Sequence, residues 1–294
     1  MIKFEGGKYV GYVNGNVIVR STSKYYVERK VQDMMGAIAH EPIPEVAECE
    51  FSITERFEFL DQMVTMVAEG TMPSVVITGE GGLGKTYTVL KALEKLGHRN
   101  LTDLTEVEIG AGINKSKAYR IIKGFSTAKG LYRTLFECNG MTVIFDDTDA
   151  VLENDIAKNL LKGALDSYSK RYISWMADMK DDDLPKTFEF TGRVIFITNK
   201  NLQSVDQAIR TRAMCVDVTM SQTQKVERME TISKSPEFLP EVQVQTKQHA
   251  LEFLKSNCNR IPNLSLRSLI QVCKIAHRGG NWESLAKYTV MQGQ

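Results

Sequence analysis

Three short stretches of this 294-residue chain hold residue types and spacings suited to phosphate chemistry. The first is Gly79-Glu80-Gly81-Gly82-Leu83-Gly84-Lys85-Thr86, a G-x-x-x-x-G-K-[ST] pattern between the apolar run Val75-Val76-Ile77 and a helical pattern opening at Tyr87. Glycines let the backbone wrap closely around an anion, so that N–H groups and the helix N-terminus face negative charge. In such a P-loop Lys85 reaches the β- and γ-phosphates of ATP and Thr86 ligates Mg²⁺, with Tyr87 the next residue along the nucleotide-binding stretch. A glycine-rich turn that matched by chance would need neither the strand before it nor the helix after it.

The second stretch is Thr142-Val143-Ile144-Phe145-Asp146-Asp147, an apolar strand ending in two carboxylates. Asp146 is placed to hold the Mg²⁺ shell and Asp147 to polarise the attacking water. The third, Val194-Ile195-Phe196-Ile197-Thr198-Asn199, is a similar strand ending in an uncharged amide, which can position water beside a γ-phosphate without adding negative charge. Taken singly, a strand that ends in acids or in Asn is also what a polar turn looks like. Joined to the P-loop, each gains a role.

These stretches need a frame that brings strand ends together. From residue 51 the pattern alternates helices with short β-branched runs, at 74–78, 119–122, 141–145, 193–198 and 215–218. That is the signature of a parallel sheet covered by helices on both faces. After about Met220 helical periodicity takes over, at 247–256, 265–277 and 282–288. The start looks different: 8–13 and 17–21 alternate around Asn14-Gly15-Asn16, as a tight hairpin does, and 25–38 suits a helix. A Pro-containing acidic stretch at 40–50 reads as a linker. The expected fold is α/β, a parallel P-loop NTPase sheet sandwiched by helices, over three segments: a small β-rich unit at 1–50, the nucleotide-binding domain at 51–220 and a helical lid at 221–294.

Composition narrows the classes. A hydrophobic content of 43% fills a core, and no run nears the roughly 20 apolar residues of a membrane span. The first residues lack an apolar secretory segment, so no membrane role and a cytoplasmic location are expected. Five scattered cysteines, never as C-x-x-C, argue against a disulfide framework or zinc site. A net charge of +1 gives no global field for nucleic acid.

The order of P-loop, Asp-Asp strand end, Asn-ended strand, Arg-bearing helix and helical tail resembles the AAA+ ATPase family over residues 51–294, and the compact layout is similar to bacteriophage or bacterial members. The resemblance implies a ring, with a hexamer the expected count, or a filament, in which an arginine reaches the neighbouring subunit's ATP. In Asp206-Gln207-Ala208-Ile209-Arg210-Thr211-Arg212 both Arg210 and Arg212 are candidates, Arg212 slightly favoured. It also implies that Arg267, in Leu264-Ser265-Leu266-Arg267-Ser268-Leu269, contacts ATP in cis, and that the region of Phe51 to Ile53 flanks adenine. Many members carry Glu where this chain has Asp147, a departure consistent with slow turnover, in which nearby Asp149 could assist.

The substrate stays open. The pattern of 171–175 and 187–190 suggests a hairpin insert with Asp181, Asp182 and Asp183 at its tip, which would repel phosphate; Phe125 beside Gly124 resembles an aromatic pore loop or closes the core. Lys115, Lys117, Arg120 and Lys123 around Tyr119 suit single-strand contact or one solvated face. A protein-remodelling ring is favoured modestly over a DNA-associated helicase or loader, with a nucleotide-dependent structural switch as the third reading.

Overall fold

The computed structural model describes residues 2–13, 16–24, 27–28, 30–31, 49–105, 108, 112–124, 127–176 and 184–291. Phe125 and the acidic hairpin tip lie outside them. The chain divides into two compact units, Met1–Cys49 and Glu50–Gln294.

In the first unit the expected hairpin gains a strand. Strands β1 (Ile2–Glu5), β2 (Lys8–Val13) and β3 (Asn16–Ser21) form an antiparallel sheet in that order. Gly6 and Gly7, both at positive φ, turn β1 into β2, a turn chemistry that glycine permits at no steric cost. Gly11 serves a different need: a Cβ there would lie 2.5 Å from Val31 Cγ2 and 3.0 Å from Val27 Cγ1, so its bare backbone admits the two buried valines that close the sheet's small core.

The second unit opens with α1 (Ile53–Glu69), started by a reciprocal cap between Ser52 and Glu55. Next come β4 (Ser74–Thr78), α2 (Lys85–Lys95), β5 (Arg99–Asn100), β6 (Ala118–Lys123), α3 (Ala128–Glu137) and β7 (Thr142–Asp146). Then follow α4 (Asp149–Glu153), α5 (Asp155–Leu165), β8 (Tyr172–Ser174), β9 (Thr187–Glu189), β10 (Arg193–Ile197), α6 (Gln207–Arg210) and β11 (Met214–Asp217). Six strands form one parallel sheet, in the order β11-β4-β10-β7-β6-β5. Every residue of β4 and β7 is buried, which is why these segments read as unbroken apolar runs rather than alternating ones. One face of the sheet packs Phe145 and Phe196 against Leu131 and Leu135 of α3 and Leu161 of α5. The other packs Val75, Ile77 and Ile195 against Leu60 and Val64 of α1 and Leu93 of α2. The insert forms the antiparallel pair β8–β9, with Phe188 edge-on to Tyr132 of α3.

The remaining helices are α7 (Gln222–Ser233), α8 (Val244–Asn257), α9 (Leu266–Arg278) and α10 (Trp282–Val290), built on their own core of Met229, Leu254, Leu264, Leu269, Val272 and Val290. Periodicity missed α7, whose large apolar residues are only Val226, Met229 and Ile232. It is held instead by a Ser221–Gln224 capping box and by buried Arg56 of α1. Arg56 donates to the carbonyls of Asp217 (3.4 Å) and Thr219 (2.7 Å) and to Gln224 Oε1 (3.2 Å), so one guanidinium ties α1, the exit of β11 and the first lid helix together. All five cysteines are free. Among the described residues no helix is long and apolar enough to cross a membrane, and no cluster of His, Cys, Asp and Glu has the make-up of a metal site.

Candidate nucleotide site at the ends of three parallel strands

Ligands of open parallel sheets bind at the carboxyl ends of the strands, where chain connections diverge. Here β4, β10 and β7 lie side by side and end in Gly79, Asn199 and Asp146-Asp147 respectively. The three chemistry-bearing stretches, spread over residues 79–199 of the sequence, therefore meet at one edge. They line a cavity of about 450 Å³ with residues 81–88, Asp146, Asp147 and Asn199 on one side and lid residues that include Arg228, Ile232, Phe238, Leu239, Arg267 and Ile270 on the other. One end is polar and backbone-rich. The other is apolar, as a cavity holding both phosphates and a base requires.

Lys85 is 5% exposed, and its ammonium donates to Gly79 O (2.6 Å), Glu80 O (2.7 Å) and Asn199 Oδ1 (3.0 Å). Burial lowers its pKa to about 8, against the opposing pull of Asp147, Asp146, Asp149 and Glu80. The residue before helix α2, Gly84, is left-handed (φ +93) and offers no side-chain cap, so the first-turn N–H groups are left to an anion. The lid rests on the same loop: Leu266 N donates to Gly82 O at 3.0 Å, and a Cβ on Gly82 would press on Ser265 at 3.1 Å.

Beside the lysine stands the acidic pair. Thr86 Oγ1 donates to Asp146 Oδ1 at 3.0 Å, and Lys123 Nζ lies 3.0 Å from Asp146 Oδ2. Asp147 sits at φ +55, a conformation uncommon outside glycine, and its Oδ1 accepts from Asn199 Nδ2 at 2.6 Å. The Asn199 amide thus bridges Lys85 and Asp147. Asp149 takes a separate partner, the Thr198 hydroxyl at 2.5 Å.

Other sequence candidates fall elsewhere. Gly79 and Glu80 contribute carbonyls to Lys85 from behind the loop. A Cβ on Gly79 would come 3.0 Å from Thr219 N, and the Glu80 carboxylate pairs with Lys225 of α7. Arg210 and Arg212 stay out of the chain's own cavity. Arg212 Nε lies 3.3 Å from Asp166 Oδ2 and its guanidinium also donates to Ala208 O (2.8 Å), whereas Arg210 Nε has no hydrogen-bond partner among the described residues. Near the region that could flank adenine or simply pack, Ile53 is buried in the sheet-face core and Phe51 packs edge-on against Phe59. The apolar end belongs instead to the lid. Arg228 there lies with its guanidinium carbon 3.8 Å from the centre of the Phe57 ring, and the Tyr87 hydroxyl donates to Glu237 Oε2 at 2.9 Å. Sequence reading passed over Arg228 because α7 itself is so polar.

A P-loop strand flanked by β11 and the Asn-ended strand, with the acidic strand next in line and a four-helix lid laid on the loop, decides the architecture. The fold is a P-loop parallel sheet covered by helices and closed by a helical lid. No family model matches the chain. An uncharacterised 36.7 kDa protein from the nrdC-mobD intergenic region of Enterobacteria phage T4 is 28% identical over 254 residues, spanning 80% of this chain and 73% of that protein. A putative replication factor C large subunit of Acanthamoeba polyphaga mimivirus is 27% identical over 165 residues; the match takes in 50% of this chain and 30% of the mimivirus protein. Among solved structures, the FIGL-1 AAA domain in complex with ADP aligns over 79% of this chain and 72% of its own, at 15% identity and a TM-score of 0.40. NtrX from Brucella abortus in complex with ADP aligns over 91% of this chain and 54% of its own, at 11% identity and a TM-score of 0.36.

Proposed function

We propose that this chain is an AAA+ ATPase that hydrolyses ATP with Mg²⁺ at the interfaces of a ring of its own copies, a hexamer by expectation, and uses the cycle in the cytoplasm to remodel a protein partner. The observation that carries hydrolysis is the Lys85–Asn199–Asp147 hydrogen-bonded chain at the strand ends. Lys85 and the open N-terminus of α2 hold the phosphates, and Arg267 approaches them from the lid. The Thr86 hydroxyl and the Asp146 carboxylate are adjacent hard oxygen donors, which is the donor set Mg²⁺ prefers, and when bound it neutralises charge on the β- and γ-oxygens. Asp147 accepts a proton from the attacking water, and Asn199 fixes that carboxylate and the γ-phosphate without adding charge.

Completion by Arg210 or Arg212 of a neighbouring copy has a direct test. ATPase rate per chain should rise with protein concentration, and mixing an Arg210→Ala/Arg212→Ala chain with a Lys85→Ala chain should restore activity that neither shows alone. A monomer of constant specific activity would refute the shared site.

Protein rather than DNA as substrate is supported by the fate of the basic run. Lys117 donates to Leu96 O, Arg120 pairs with Glu137 and Lys123 pairs with Asp146, so these three cations turn to separate partners. The second reading, a DNA-associated ATPase, is favoured by the name of the mimivirus relative. ATPase assays with single- and double-stranded DNA across a salt series separate the two. No stimulation is expected; salt-sensitive stimulation lost in Lys115→Ala/Lys117→Ala would establish the DNA reading, because phosphate contacts weaken steeply with salt.

A further inference from the structure

We propose that Lys123 is a positioning residue of the metal site, a built-in cation that neutralises Asp146 in the nucleotide-free chain and yields the carboxylate to Mg²⁺ when nucleotide binds. This rests on the Mg²⁺–ATP reading of the cavity. Lys123 ends β6 directly opposite Asp146 in the parallel ladder, so the register of the sheet itself sets the pair. Its ammonium lies 3.0 Å from Oδ2 while Thr86 holds Oδ1, and both oxygens are therefore engaged. The Asp146 side chain is only 4% exposed. A carboxylate that deep is costly to leave uncompensated, and Lys123 supplies the compensating charge.

A metal ion beside Thr86 needs the same carboxylate, and two cations competing for it repel one another. Of the groups around Asp146, Lys123 is the one free to give way. Its side chain is 63% exposed, so water replaces its lost partner at small cost. The next residue, Gly124, is left-handed (φ +83), and among the described residues no atom outside its chain neighbours lies within 4 Å of where its Cβ would be. Thr86, by contrast, is fixed in the first turn of α2.

The test is calorimetric titration of ADP with and without Mg²⁺ on the wild-type chain, Lys123→Met and Lys123→Arg. Methionine keeps the apolar stem of the lysine and removes the competing charge. The Mg²⁺-dependent gain in ADP affinity should therefore grow roughly two- to fivefold, the worth of one partly exposed ion pair, while Lys123→Arg should keep the wild-type gain. Amine-reactive labelling read by mass spectrometry should show Lys123 modified faster with Mg²⁺–ADP than without ligand, a change that a purely structural ion pair would not give. An unchanged or smaller Mg²⁺ gain in Lys123→Met would overturn the proposal and make Lys123 a partner of the metal rather than its rival. Failure of the wild-type chain to bind ADP under either condition would instead bring down the nucleotide reading of the cavity, and the role of Lys123 with it.

Discussion

Lys85→Ala is expected to weaken ATP binding by two to three orders of magnitude, measured by calorimetry at pH 7. The ammonium is buried with its three donors committed to acceptors at the strand ends, and it is the one cation fixed inside the loop. Charge-assisted contacts to two phosphates contribute about 3–4 kcal/mol together, a factor of roughly 10²–10³. The wild-type chain should also show a pH signature. Nucleotide-free Lys85 gives up its proton near pH 8, and phosphates favour the charged form, so above that pH binding takes up a proton and weakens as pH rises. By pH 9.5 the loss should reach about 30-fold, provided the bound-state pKa lies higher still. The sign for folding is opposite. An unfolded lysine holds its proton up to about 10.5, so the nucleotide-free fold gains stability from this group as pH rises from 8 to 10.5. Lys85→Arg keeps its charge throughout and should flatten the binding profile. Wild-type affinity in Lys85→Ala would refute the assignment of the phosphate end.

Asp147→Asn should leave ATP affinity within a few-fold of wild type and reduce turnover by about 10²–10⁴, the usual contribution of a positioned general base. The substitution removes the proton acceptor but keeps the side chain's size, and Asn tolerates the left-handed backbone at φ +55 better than most residues. Asp146 and Thr86 remain in place. The readouts are single-turnover hydrolysis and nucleotide titration on the same preparation. Retained hydrolysis would move the water-polarising role away from Asp147, with binding lost only if the variant had disturbed Asn199. The shorter reach of Asp compared with Glu makes slow turnover the expected wild-type behaviour, and Asp147→Glu is the natural companion variant.

Much of this molecule was legible from residue order alone. The P-loop, the acidic strand end and the Asn strand end announced themselves because each is a buried apolar strand terminating in a few polar residues, and burial on both faces leaves an unbroken apolar run as its trace. The same physics made the central sheet predictable. Elements of weaker trace were passed over: β5 is two residues long, β1 is short and mostly exposed, and α7 is too polar for its period to show.

Pairings between distant residues had no such trace. Nothing in the sequence says that Glu80 turns to Lys225, that Tyr87 meets Glu237, that Arg212 is tied to Asp166, or that Lys123 stands against Asp146. Each depends on strand order and on where the lid lies, which arise from packing of the whole unit and not from any local run. The basic stretch from Lys115 to Lys123 shows the difference most plainly. In sequence it is one cluster of charge. Lys117, just before β6, turns to Leu96 O, while within the strand Arg120 and Lys123 go to Glu137 and Asp146. Thus the sequence by itself determined the phosphate-binding loop, the carboxylates and amide that accompany it, and the class of fold that carries them. Only the tertiary structure decided which cations remain available and which lid residues close the cavity, because those depend on contacts made across the sheet and the lid.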